Sequence, residues 1–91
     1  MNKLTTNGPI DVSDITCHNI LPELNNNYNL GSNTQRFANI FSADLQLSNV
    51  HANPNSVDGT KGDWTLQEGE HDIFMINNIT GKKYKINLTE V

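Results

Sequence analysis

Nowhere in this chain does an apolar repeat run long enough to make one face of a full-length helix, and that limits most of what it can fold into. The nearest approach is Thr34 to Phe41, where Phe37, Ile40 and Phe41 stand at i, i+3, i+4. With Gly31-Ser32-Asn33 ahead as a turn and cap, this spacing predicts one short helical turn near 34–41. Elsewhere apolar residues recur at i, i+2, the period of a strand with alternating faces. Ile10 and Val12, Ile15 and Cys17, and Leu45 and Leu47 each form one such pair before the phase slips. The first half therefore predicts brief strands, not a wide sheet. Composition points the same way: 15 Asn, 8 Thr and 5 Ser supply short polar side chains that favour turns and strands over helices.

The C-terminal third is more regular. Trp64 and Leu66 alternate, Gln67-Glu68-Gly69-Glu70 reads as a glycine turn, and Ile73-Phe74-Met75-Ile76 is an unbroken apolar run, the pattern of a strand covered on both faces. Asn77-Asn78-Ile79-Thr80-Gly81 reads as a hairpin loop, after which Tyr84, Ile86 and Leu88 alternate with polar residues. Residues 63–91 thus predict a three-stranded antiparallel meander whose core candidates are Trp64, Leu66, Phe74, Ile76, Tyr84 and Ile86. Ahead of it, 48–62 reads as a linker or long loop, 24–47 as a distinct central segment, and 1–23 as an arm with short strands. The first nine residues of that arm, ending Asn7-Gly8-Pro9, look partner-dependent.

Size turns this pattern into a statement about assembly. A chain of 91 residues with 35% apolar side chains is one small domain with a thin core. Small domains often need a staple; one cysteine, Cys17, cannot form an internal disulfide, and no metal-binding set is evident. Other copies of the chain are the remaining staple, so oligomerisation is expected. A net charge of −4 with 6 Lys+Arg argues against nucleic-acid binding. No apolar run approaches a membrane span, and the start lacks the apolar core of a secretory signal, so neither membrane insertion nor secretion is expected.

One segment carries a family likeness. Tyr28-Asn29-Leu30-Gly31-Ser32, then Arg36-Phe37, then Ile40-Phe41 resembles a motif common in tail-fibre and other fibre proteins of tailed bacteriophages, with Pro22 upstream also fitting. There it usually reads Tyr-Asp-Leu-Gly-Ser, three residues, Arg-Trp, two residues, Leu-Tyr. Asn29 stands for the usual Asp and Phe37 for the usual Trp, each keeping the role of a turn-former or a ring. The stretch Gly62 to Glu70 and Gly81 to Ile86 resembles C-terminal segments of marine-phage fibre and structural proteins. Together the two cover about half the chain.

The resemblance implies a mainly β, elongated, fibre-like homotrimer: a non-enzymatic virion structural protein, assembled in the host cytoplasm, that docks on other virion proteins and has a host surface receptor as a further partner. Tyr28, Leu30, Gly31, Arg36, Phe37, Ile40 and Phe41 become its subunit-contact candidates. They are also the densest apolar group of the first half, with Gly31 free to turn the backbone sharply and Arg36 able to bind carbonyls or a carboxylate. Two other readings stand beside it: a capsid-decoration or neck-associated fibre protein, and a glycan-binding tip built on Trp64 and the acidic turn.

No other residue set points to chemistry. Cys17-His18 would face opposite sides of a strand, and Cys17 continues the Ile15 alternation as a small packed hydrophobe. Some fibres of the family hold an axial metal through His-x-His, which this sequence lacks; a ring of single histidines at His18, His51 or His71 stays open on symmetry. Glu68, Glu70, His71 and Asp72 read as a solvated turn, and Lys82, Lys83 and Lys85 as a guard on an edge strand. No catalytic residue, metal or cofactor is expected.

Overall fold

The structure, a computed structural model, describes residues 8–91. The first seven residues of the expected docking arm, 1–23, therefore lie outside the described residues. The chain is mainly β. Its four strands, β1 (Asp44–Ser48), β2 (Asp63–Glu68), β3 (Ile73–Asn77) and β4 (Lys83–Lys85), form one antiparallel sheet in the order β1-β2-β3-β4. The expected three-stranded meander is present as β2 to β4, and it gains a fourth strand from the Leu45/Leu47 pair. Its last strand is shorter than the alternation through Leu88 suggested: it ends at Lys85, with Ile86 N–H still donating to the Ile73 carbonyl at 2.9 Å.

The hairpin connections follow the turn chemistry of their residues. Between β3 and β4, Asn77 Oδ1 accepts from the N–H groups of Ile79 and Thr80, and Gly81 takes a φ of +76° that a side chain would strain. Between β2 and β3, Gly69 N–H donates to the Asp72 carbonyl at 2.7 Å. The long β1–β2 connection, residues 49–62, is more ordered than a linker. Asn49 Oδ1 accepts from Gly62 N–H at 2.7 Å, while its Nδ2 donates to the carbonyls of Asn53 and Thr60. Asn55 fastens the tip, accepting from the N–H groups of Val57 and Asp58 and donating to Asp58 and Thr60.

Three expectations need correction. No helix forms among the described residues: the segment near 34–41 makes a non-helical turn, because a single turn has little stability without tertiary cover. The Ile10/Val12 and Ile15/Cys17 pairs form no strand, since no neighbouring strand of the chain lies alongside to complete a ladder. Within the chain β3 is covered on neither face. Phe74, Met75 and Ile76 are half-buried and Ile73 is exposed.

The sheet is a single layer. Among the described residues no apolar side chain is buried, and the one buried residue is Thr65. Its hydroxyl donates to Gln46 Oε1 of β1 at 2.7 Å and accepts from Asn78 Nδ2 of the β3–β4 loop at 2.9 Å, with Asn78 also donating to Asp63 at 3.0 Å. The accessible surface is 9285 Å², against about 5,300 Å² for a folded monomer of this mass. The radius of gyration is 17.2 Å, against about 12 Å for a compact globule of this length.

Thr65 thus links two strands and a loop through polar bonds. Thr65→Val keeps shape and strand propensity but removes the hydroxyl, and should cost about 1–3 kcal/mol by leaving Gln46 and Asn78 short of a partner. Thr65→Ser should lose much less. The unfolding midpoints of the two variants in denaturant check this.

Candidate functional site

Cross-strand pairing sorts the sheet into two unequal faces. Leu45 pairs with Leu66, Leu66 with Met75, and Met75 with Tyr84; Leu47 pairs with Trp64, and Ile73 shares their side opposite Glu68. Seven apolar or aromatic side chains therefore stand together on one face, with Glu68 and Asn77 at its ends. Trp64 and Tyr84 meet across it with ring centroids 5.7 Å apart. The opposite face carries Asp44, Gln46, Ser48, Asp63, Thr65, Gln67, Lys83 and Lys85 around Phe74 and Ile76, whose cross-strand neighbours are the two lysines. Lysine stems can shield those two side chains while the ammonium stays wet.

The apolar face is open. Leu45, Leu47 and Tyr84 are each about half exposed, at 49%, 50% and 48%. Of the expected core residues, Trp64, Leu66 and Tyr84 lie on this face. Phe74 and Ile76 lie on the other, and Ile86 follows the end of β4. Leu45, Leu47, Ile73 and Met75 join Trp64, Leu66 and Tyr84 without having been among the core candidates. The signal for Leu45 and Leu47 was their alternation in phase with Trp64 and Leu66, once an intervening loop is allowed to fold β1 back on β2.

The Tyr28–Phe41 segment is a tight local structure with its apolar side chains turned outward. Gly31 has a φ of +79°, and a Cβ there would meet the Gln35 carbonyl oxygen at 3.1 Å and the Phe37 ring at 3.5 Å. Ser32 N–H donates to the Gln35 carbonyl at 2.9 Å, and Ser32 Oγ accepts from Gln35 N–H at 3.0 Å. Arg36 clamps the turn by donating to Asn33 O at 3.1 Å and to Asn33 Oδ1 at 2.8 Å. Within one chain the ring of Phe37 is 58% exposed, and Tyr28, Leu30, Ile40 and Phe41 are exposed as well. The turn thus fixes the direction of these side chains without burying them.

The groups capable of chemistry are scattered. Cys17 is exposed rather than packed in the isolated chain. Among the described residues no three His, Cys, Asp or Glu side chains gather as a metal site. Glu70 and His71 stand in water at 83–87% exposure, 3.8 Å apart. Trp64 and the acidic turn occupy opposite ends of β2. No helix of the described residues is long and apolar enough to cross a membrane. Asp58 has a perturbed acidity. The Thr60 hydroxyl, the Asn55 amide and the Thr60 N–H hold its carboxyl below the ordinary 3.8.

Two outcomes follow for the loops. Because the Asp58 pKa is lowered by folding, its contribution to loop order is complete above pH 3.8 and is lost as pH falls through the lower folded value. An NMR titration of the Thr60 amide should show that inflection below the ordinary carboxylate value. Gly31→Ala forces a side chain into the left-handed region at a cost of about 1–2 kcal/mol. It should speed hydrogen exchange at the Ser32 amide while leaving the β2 and β3 amides unchanged.

No family model, no curated protein and no solved structure matches the chain.

Proposed function

We propose that this protein is a non-enzymatic virion structural protein of a tailed bacteriophage: a short tail-fibre or fibre-like appendage subunit that works by trimerising and docking on other virion proteins. One observation carries the assembly part of this reading. An ordered four-stranded sheet presents seven apolar or aromatic side chains on one face, and among the described residues none of the seven is buried. Contiguous exposed apolar surface of this kind marks an interaction site. Its removal from water is the largest stabilising term open to the chain.

The phage and fibre parts rest on the likeness of residues 28–41 to the fibre motif. The local geometry is compatible with a contact role. Gly31 and the Arg36–Asn33 clamp fix a turn that leaves the rings of Tyr28, Phe37 and Phe41 more than half exposed, surface that a collar of three chains around an axis would cover. Phe37 in such a collar would be buried by neighbouring copies. The docking function belongs to the N-terminal arm and to exposed Ile10, Val12, Ile15, Ile20 and Leu21. A host surface receptor is a further partner in this reading.

Three variants and one label test it. Phe37→Ala should abolish the oligomer, since truncating a buried Phe costs about 3–5 kcal/mol in every chain at once. Phe37→Trp should assemble, and Glu70→Ala on the solvated turn should leave assembly unchanged. Sedimentation of the purified variants reads the outcome, and unaltered assembly of Phe37→Ala would remove the motif from the subunit contact. Immunogold labelling of intact particles should mark the tail; label on the capsid or neck would favour a decoration or connector role.

A further inference from the structure

The two free edges of the sheet match each other. In β1, Asn49 N–H donates to the Gly62 carbonyl. The alternation of an antiparallel ladder then turns the N–H and C=O groups of Leu47 and Leu45 toward β2, and those of Ser48, Gln46 and Asp44 away from it. The Asp44 carbonyl is met by the Ser42 hydroxyl at 2.7 Å, which leaves a lone pair to accept another bond. In β4, the bonds Asn77 N–H to Lys82 O and Ile86 N–H to Ile73 O point the even-numbered residues inward. Lys83 and Lys85 therefore present their backbone groups outward. The β1 edge offers three outward residues and the β4 edge two, at every second position on each, the spacing that an antiparallel partner strand requires.

Charge and polarity run in the same register. Asp44, Gln67, Phe74 and Lys85 form one row across the sheet, and Gln46, Thr65, Ile76 and Lys83 form the next. Both rows begin acidic or neutral at β1 and end in lysine at β4, on the polar face. Between them runs the row Leu45, Leu66, Met75, Tyr84 on the apolar face. Strand direction alternates across the four strands, so β4 of one copy and β1 of the next would be antiparallel. Among the described residues neither Asp44 nor the lysines of β4 has an ion-pair partner.

We infer that β1 of one chain pairs edge to edge with β4 of the next copy. Asp44 lies opposite Lys85, Gln46 opposite Lys83 and Leu45 beside Tyr84. Repeated around an axis, this heterologous contact closes the sheets into a ring with the apolar face inward. Such closure covers that face and removes both exposed edges in one arrangement. A two-residue shift in register would set Asp44 against Lys83 instead, which preserves both the charge match and the facing. This inference rests on the oligomeric reading proposed above and specifies its contact.

A charge-reversal cycle on the full chain tests it, with sedimentation giving mass and dissociation constant at low salt. Asp44→Lys should weaken association about tenfold or more, because like charges directly opposite across strands repel and every edge of the ring changes together. Lys83→Asp with Lys85→Asp should weaken it similarly, and combining all three reversals should restore it. Lys83→Pro, which deletes only an outward N–H of an edge strand, should also weaken association. Circular dichroism of each variant at high concentration checks that the sheet persists. An assembled wild type that tolerates the single-edge reversals, or shows no rescue when they are combined, overturns the edge pairing while leaving oligomerisation standing. A dimer insensitive to these charges would point to face-to-face stacking and also overturn it. A monomeric wild type would remove the oligomeric reading and this contact with it.

Discussion

Everything else in this molecule depends on an apolar sheet face that the described residues leave open. A sheet with one apolar face is stable when a second layer removes that face from water. Here the second layer is missing. The strands account for few residues, the loops are polar, and residues 8–43 fold no helix or strand over the sheet. Taking seven half-covered side chains to full burial, at roughly 1 kcal/mol each, is worth several kcal/mol. That is comparable to the whole net stability of an ordinary domain, about 5–15 kcal/mol. The missing cover is therefore a term of decisive size, and in this account neighbouring copies supply it.

With no buried apolar side chain among the described residues, local order comes from polar side chains bonded to nearby backbone. Asn49 and Asn55 hold the β1–β2 connection, Asn77 and Asn78 the β3–β4 loop, and Asn33 with Arg36 the turn after Gly31. This explains an Asn-rich composition that would weaken a helical or densely packed protein. Each asparagine offers a donor and an acceptor on a short stem, so one residue can replace several missing backbone partners. The individual bonds are modest, about 1 kcal/mol each. They shape the single chain without supplying the larger apolar term.

The sequence made the hairpins legible and hid the partner of β2. Trp64/Leu66, the turn at Gly69, the run Ile73–Ile76 and the loop Asn77–Gly81 are adjacent, so pattern and turn chemistry suffice to order them. β1 has the same alternation, but its pairing crosses a loop whose closure depends on Asn49 and Asn55, and nothing in the period of Leu45 and Leu47 specifies that distant neighbour. Phe37, Ile40 and Phe41 have helical spacing, but three large apolar side chains at i, i+3, i+4 need something to pack on, while Ser32, Gln35, Arg36 and Asn33 satisfy one another in a turn. The apolar run of β3 has the pattern of a strand covered on both faces, whereas the described residues leave both open. The apolar face itself was only half legible: Trp64, Leu66 and Tyr84 stood out, but the faces separate only when register is known.

The central claim is that folding and association of this chain are one event. The most direct measurement is the thermal unfolding midpoint followed across a wide range of protein concentration, with the mass of the native species determined alongside. The account predicts a native mass near three times the 10.1 kDa chain and a midpoint that rises with concentration. A cooperative, concentration-independent melt from a species of single-chain mass would contradict it.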